Sequence, residues 1–417
     1  MKWLSVLFKN LGPGLLYAGA AVGVSHLVQS TRAGAMYGFD LVACVLIVNL
    51  LKYPFFEIGT RYTIATGNVL LEGYRDLGRF AVWSFLAITV GTMFIIIAVV
   101  TMVTAGLVHN LTGISLEIWQ WSGIILLFCT VLLVAGEYKL LDRIIRIVIL
   151  LLTISVIVSL GMAIYGAPTQ EGEAKSFMWT LDSDIVFLVA LLGWMPIPIE
   201  AAVWQSDWTI SAKGKDGKLP SLKWALIDFR VGYWGTTGLA IIFLSLGAIM
   251  MHGSGEDFST NAVTFSDQLV QLISKNLGAW AYPFIATAAC LTMFSTTLTC
   301  LDAYPRVVSR TLQVLYPEKK LPFTKSYWIM ILLVVSGAIF ILANFRENMR
   351  TMVDFATSVS FLTAPILAFM HFKIAQSTKV SGVHPLSRWM KILSYLGLIF
   401  LTLFAVYYLY LILNRSA

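Results

Sequence analysis

The sequence predicts an all-α, polytopic membrane protein of about eleven transmembrane helices, on three observations. Of its 417 residues 58% are hydrophobic and only 12% charged, with a mean hydropathy of +0.80, a balance that an ordinary soluble domain does not reach. Apolar stretches long enough to cross a hydrocarbon core as helices, roughly 17 to 25 residues, recur eleven times. Basic residues gather in alternate connections, as the positive-inside rule requires.

Span 1 is centred on residues 11–38 and is interrupted at Gly23-Val24-Ser25-His26. Met1 to Asn10 ahead of it has no small-residue cleavage pattern and is not read as a removed signal. Spans 2 to 5 follow at 41–65, 83–107, 119–135 and 144–165. Span 6, at 185–204, is interrupted at Met195-Pro196-Ile197-Pro198. Spans 7 to 11 lie at 232–251, 279–303, 328–343, 352–372 and 392–413. The stretch from Ser206 to Phe229 reads as a polar loop with a short amphipathic helix after it.

Spans 1–5 and 6–10 form two sets of five. Five is odd, so the second set enters the membrane from the opposite side and the sets form an inverted repeat, each opening with its broken helix. The expected divisions are 1–165 for the first repeat, 166–372 for the second, and 373–417 for an extra helix and tail. Irregular backbone is tolerated at mid-bilayer only where it lines a cavity or is buried in protein. The paired breaks therefore mark the expected substrate site, built from Gly23, Val24, Ser25, His26, Trp194, Met195, Pro196 and Ile197.

The net charge of +7 follows topology. With a cytoplasmic N-terminus, the inside loops hold Lys2, Lys9, Arg75, Arg79, Lys139, Arg143, Arg146, Lys213, Lys215, Lys218, Lys223 and Arg230. Arg306, Arg310, Lys319, Lys320, Lys325, Lys373, Lys379, Arg388 and Lys391 lie on the same side, whereas outside connections hold only Lys175, Lys275, Arg346 and Arg350. The charge thus needs no nucleic-acid partner, and the expected location is the bacterial inner membrane. Outside connections lean acidic, with Glu171, Glu173, Asp182 and Asp184 in one and Glu256, Asp257 and Asp267 in another, either as solvated loops or as a weak cation-attracting vestibule. Cys44, Cys129, Cys290 and Cys300 all fall inside spans without metal-ligand spacing and read as packing residues.

Polar residues inside spans are expensive and therefore informative. In span 2, Glu57 and Arg61 are four apart and share a face: an internal ion pair or a gate, with Lys52 snorkelling to the surface. In span 10, Asp354, Thr357 and Ser358 share a face, lining a cavity or meeting the outside surface. Span 8 carries Ser295 to Thr299, which suits interhelical hydrogen bonding, and then Asp302. Glu200, in the second half of span 6, must pair or titrate, while span 3 has no ionisable residue. Glu57, Arg61, Glu200, Asp302 and His26 are the coupling or gating candidates.

From Gly12-Pro13-Gly14 through Gly34-Ala35-Met36-Tyr37-Gly38-Phe39, with Asn49, Ala65-Thr66-Gly67, Met195-Pro196 and Ser295 to Thr299, the chain resembles the Nramp (natural resistance-associated macrophage protein) family of metal-ion transporters. The resemblance covers the whole chain in order. It implies the leucine-transporter fold, within the amino acid-polyamine-organocation superfamily, with discontinuous helices 1 and 6 and alternating access. The family's manganese and iron transporters have Asp-Pro-Gly-Asn where this chain has Gly23-Val24-Ser25-His26. Their Met-Pro-His is here Met195-Pro196-Ile197, and their span 3 acidic residues are missing.

Hard divalent ions are held by carboxylate and carbonyl oxygens, which these breaks supply sparsely. Open backbone N–H groups at the positive end of a half-helix instead suit the carboxylate of an organic solute, with Gly23 permitting close approach. Trp194, Met195 and Tyr17 would wall the rest of the solute, and His26 would couple protons. The reading is a secondary transporter without a cofactor, embedded in the lipid bilayer. Its partner is a small solute or ion, with an amino-acid-like carboxylate favoured over a metal rebuilt on His26 and Met195. A non-transporting sensor is a third class. An enzyme is not expected, because no nucleophile, base and orienter gather at either membrane face.

Overall fold

The computed structural model describes residues 12–136, 139–166, 173–213, 217–319, 322–344 and 348–415. Met1 to Asn10, with Lys2 and Lys9, and Glu171, Lys215, Lys320 and Arg346 lie outside the described residues, as do the side chains of Lys139, Arg143 and Arg146.

Span 1 is two helices, α1 (Pro13–Ala21) and α2 (Thr31–Tyr37), joined by a bend and a π-helical segment, Ser25–Ser30. Then come α3 (Val42–Thr66), the short α4 (Leu70–Leu77), α5 (Arg79–Thr112), α6 (Ile118–Ala135) and α7 (Lys139–Gly166). Span 6 is α8 (Asp182–Gly193) and α9 (Ala201–Ser211), separated by Trp194 to Glu200. The rest are α10 (Leu222–Met251), α11 (Ala262–Ser274), α12 (Tyr282–Leu315), α13 (Phe323–Asn344), α14 (Met349–Gln376), α15 (Thr378–Ser381) and α16 (Arg388–Arg415). Among the described residues nine helices are long and apolar enough to cross a membrane singly. The two broken spans bring the total to the expected eleven.

Three local expectations are corrected. The stretch Ser206 to Phe229 is mostly helical: α9 runs on to Ser211 and α10 starts at Leu222, leaving only 212–221 between them. Two acidic residues of this stretch are used inside the fold. Asp207 pairs with Arg310 at 2.8 Å, and Asp228 accepts from the N–H groups of Gly12 at 2.9 Å and Gly14 at 2.7 Å. The acidic connection containing Asp267 includes α11, whose N-terminus is capped by Asn261 accepting from the N–H groups of Val263 and Thr264, as a side-chain oxygen at that position should. Lys52 does not snorkel; it is wholly buried, because two backbone carbonyls inside the protein take its ammonium.

What positions the site is the close packing of each broken span on an unbroken one. Span 1 lies along α10. A Cβ on Gly34 would sit 1.8 Å from the carbonyl oxygen of Leu244, and one on Gly247 would sit 2.2 Å from that of Thr31. The two backbones therefore touch where only glycine fits, the small-residue contact by which membrane helices pack without a hydrophobic drive. Span 6 lies in the same way on α3, where a Cβ on Gly59 would stand 2.2 Å from the carbonyl oxygen of Ala202. Its first half also meets α14, with Gly193 against the Thr357 carbonyl.

Candidate functional site

The bend at Val22 and Gly23 faces the span 6 break across a small cavity bounded by α5 and α12. Its volume open to water centres is about 30 Å³, room for roughly two waters. Val24 and Ser25 line it from span 1, Ile96 and Val100 from α5, Trp194, Ile197, Pro198 and Trp204 from span 6, and Thr296, Cys300 and Tyr304 from α12. The walls are apolar and aromatic, with hydroxyls from Ser25, Thr296 and Tyr304.

Each break frees backbone groups that must be bonded, because at this depth no bulk water replaces lost partners. At span 1, Thr296 shares its hydroxyl proton among the carbonyls of Val22 at 3.2 Å, Gly19 at 3.3 Å and Thr292 at 3.2 Å. At span 6, the Lys52 ammonium donates to the carbonyls of Leu192 at 2.6 Å and Gly193 at 3.1 Å. It stands at the negative, C-terminal end of α8, where a cation is favoured. The Trp194 indole N–H donates to Ser360 at 2.8 Å.

The sequence candidates divide into those that meet at the cavity and those that do not. Val24, Ser25, Trp194 and Ile197 meet there, and Pro196 joins through its carbonyl, 3.3 Å from the Ser25 hydroxyl. Gly23 faces α12: a Cβ there would stand 2.9 Å from Thr296 Cγ2, so its missing side chain admits a neighbouring helix. His26 is fully buried against α10, with Nε2 2.9 Å from the Thr236 carbonyl and Nδ1 2.7 Å from Ser25 Oγ. A carbonyl only accepts, so Nε2 carries a proton. Met195 is fully buried without lining the cavity, and Tyr17 packs edge-on against Phe56 and Phe229. Ser358 is buried away from the cavity.

The remaining candidates knit the two ends of the bundle. Asp354 takes a two-pronged pair from Arg32, at 2.7 and 3.0 Å, and a third bond from Gln29 Nε2 at 3.0 Å. This latch joins span 1 to α14 on one side of the cavity. On the other side, Glu57 is bonded by Arg61 and Tyr53 and lies 3.6 Å from Arg230. Asp302 pairs with Arg306 at 2.7 Å and accepts from Tyr327 at 2.6 Å. Glu200 accepts from the Tyr304 hydroxyl, one residue behind the cavity wall.

Arg32, Gln29, Lys52 and Trp204 are site residues that the sequence reading missed. Ser25, Gln29 and Arg32 stand four and seven residues apart, a single helical face, and an arginine inside a span is itself a signal. Trp204 is buried with an indole N–H that has no hydrogen-bond partner among the described residues, and no sequence signal distinguishes it.

Residues 14–411 match the family described as natural resistance-associated macrophage protein-like. The chain belongs to the Nramp family. An uncharacterized protein of Pasteurella multocida is 33% identical to this member over 407 residues, 96% of this chain and 92% of that one. The divalent metal cation transporter MntH of Listeria monocytogenes is 22% identical over 434 residues, 98% and 91% of the two chains. Among solved structures, a mutant of the Eremococcus coleocola manganese transporter superposes with a TM-score of 0.71 at 14% identity, covering 97% of this chain and 86% of that one. MhsT in complex with L-phenylalanine gives 0.64 at 15%, covering 96% and 97%. These likenesses establish an integral membrane transporter of the leucine-transporter fold.

Proposed function

We propose that this Nramp member is a secondary active transporter that moves a small organic solute by alternating access, through the cavity between the breaks of spans 1 and 6. One observation carries the choice of solute: the cavity walls are apolar and aromatic and hold no carboxylate. Such walls suit the body of an organic molecule and offer a divalent ion little to offset its dehydration. Among the described residues no three His, Cys, Asp or Glu side chains gather as a metal site. An amino-acid-like carboxylate would meet the opening of the second half of span 1 at Val24 and Ser25, the positive end of that helix.

His26 is the proposed proton carrier. Ser25 Oγ lies 2.7 Å from His26 Nδ1, 2.8 Å from the Ala21 carbonyl and 3.3 Å from the Pro196 carbonyl, but has one proton to give. With a neutral ring the hydroxyl donates to Nδ1. With an imidazolium the ring donates, and the hydroxyl turns to Ala21 or, across the site, to Pro196. Protonation would thereby alter a link between the two breaks.

A second reading, a divalent metal held by His26 and Met195, is favoured by the named activities of the Listeria and Eremococcus relatives. We further propose the inverted-repeat divisions 1–165, 166–372 and 373–417, and an inner-membrane protein whose N-terminus is cytoplasmic. The test of the solute is a thermal-shift screen of the full chain against manganese, magnesium, softer metals and a panel of amino and carboxylic acids. The expected result is silence for the metals and stabilisation by at least one organic acid, weakened in Gly23→Val. Saturable stabilisation by a metal, lost in His26→Ala or Met195→Ala, would establish the second reading instead.

A further inference from the structure

Away from the transport cavity, a groove of about 390 Å³ opens where the start of α5 passes the end of α12. Its lining includes Arg75, Arg79, Lys319 and Glu318, with Val82 and Tyr316 beneath them. Three cations against Glu318 and against Glu72, the partner of Arg75, leave a surplus of one positive charge. Arg75 is paired with Glu72 at 2.8 Å, whereas Arg79 and Lys319 are exposed and make no ion pair with a described residue. Lys319 sits 4.9 Å above the Tyr316 ring, and Trp83 meets that ring edge-on at 6.5 Å.

Two further features give the groove a depth and a direction. Trp and Tyr gather at the membrane–water boundary, so the Trp83–Tyr316 pair marks headgroup level. Beside it the surface turns apolar and outward: Phe80 is 86% exposed and Leu77 40%. A cationic pocket beside exposed apolar side chains matches an amphipathic anion, whereas a soluble phosphate would use only the charged part. The groove also lies at the face that carries most of the chain's basic residues, where anionic lipid is attracted at about 1 kcal/mol per cation.

We propose that this groove is a binding site for an anionic phospholipid. Its phosphodiester lies between Arg79 and Lys319, and an acyl chain runs over Phe80.

The test is native mass spectrometry of the full chain, released from neutral detergent with equimolar phosphatidylglycerol and phosphatidylcholine of identical acyl chains. We expect preferential retention of phosphatidylglycerol. The exposed double variant R79Q/K319Q should weaken that retention roughly thirtyfold, the effect of removing two such cations. An excess of inorganic phosphate should leave the bound lipid in place. Equal retention of the two lipids by the wild-type chain would overturn the proposal, as would undiminished phosphatidylglycerol binding by a double variant that elutes as the wild type does. Displacement of the lipid by inorganic phosphate would assign the groove to a soluble anion.

Discussion

Thr296 closes the break of span 1 with a neutral hydroxyl shared between two carbonyls of that span and one of its own helix, whereas Lys52 closes that of span 6 with a buried ammonium shared between two. Both breaks expose backbone at the same depth, and both broken spans pack on an unbroken helix through glycine. The closures differ in strength. A charged donor makes hydrogen bonds about twice as strong as a neutral one, and the Lys52 ammonium also stands at the favourable end of the α8 dipole. The first half of span 6 is thus fixed to α3, while span 1 is held to α12 by contacts that can exchange. The comparison predicts that span 1 is the one that moves.

The sharpest way to break that comparison is Lys52→Met, which keeps the length of the side chain but takes the charged donor from two buried carbonyls, leaving that of Leu192 with a 3.3 Å bond from the Met195 N–H. A loss of roughly 2 to 4 kcal/mol in unfolding stability is expected, read from the thermal midpoint in detergent; an unchanged midpoint would mean that the ammonium does not hold span 6. Asp354→Asn comes next. Arg32 is 3% exposed and Asp354 29%, so removing one charge of the pair should cost about 1 to 2 kcal/mol, below the cost for a fully buried pair. Thr296→Val, which removes one hydroxyl and preserves shape, should cost about 1 kcal/mol. If it matched Lys52→Met, the two breaks would be equally held. Trp204→Phe should cost about 1 kcal/mol, all of it from the packing a buried indole loses on truncation and none from its N–H, which has no partner among the described residues; a loss of about 3 kcal/mol would reveal a bond made by that group.

The spans and the place of both breaks were legible because hydropathy and Gly or Pro interruptions are local properties of the chain. The direction in which a residue points from a break was not. His26 and Ser25 are adjacent, yet one bonds α10 and the other lines the cavity, and only the bend at Gly23 decides this. Lys52 was unreadable for a related reason. Its partners are backbone carbonyls some 140 residues away, and a carbonyl leaves no mark in a sequence. Arg32 and Asp354 are 322 apart, but each is a charge inside a span, so their pairing was the more recoverable fact.

The central claim is that the cavity between the breaks is the transport route and that the Arg32–Asp354 latch shuts one side of it. Cys300 lines that cavity and offers a native reporter once Cys44, Cys129 and Cys290 are replaced by alanine. The decisive measurement is the rate at which a membrane-impermeant thiol reagent modifies Cys300 from each face of sealed vesicles, with and without Asp354→Asn. The account requires faster modification from the face where span 1 ends and slower modification from the other. Equal rates in the two proteins, from both faces, would contradict it.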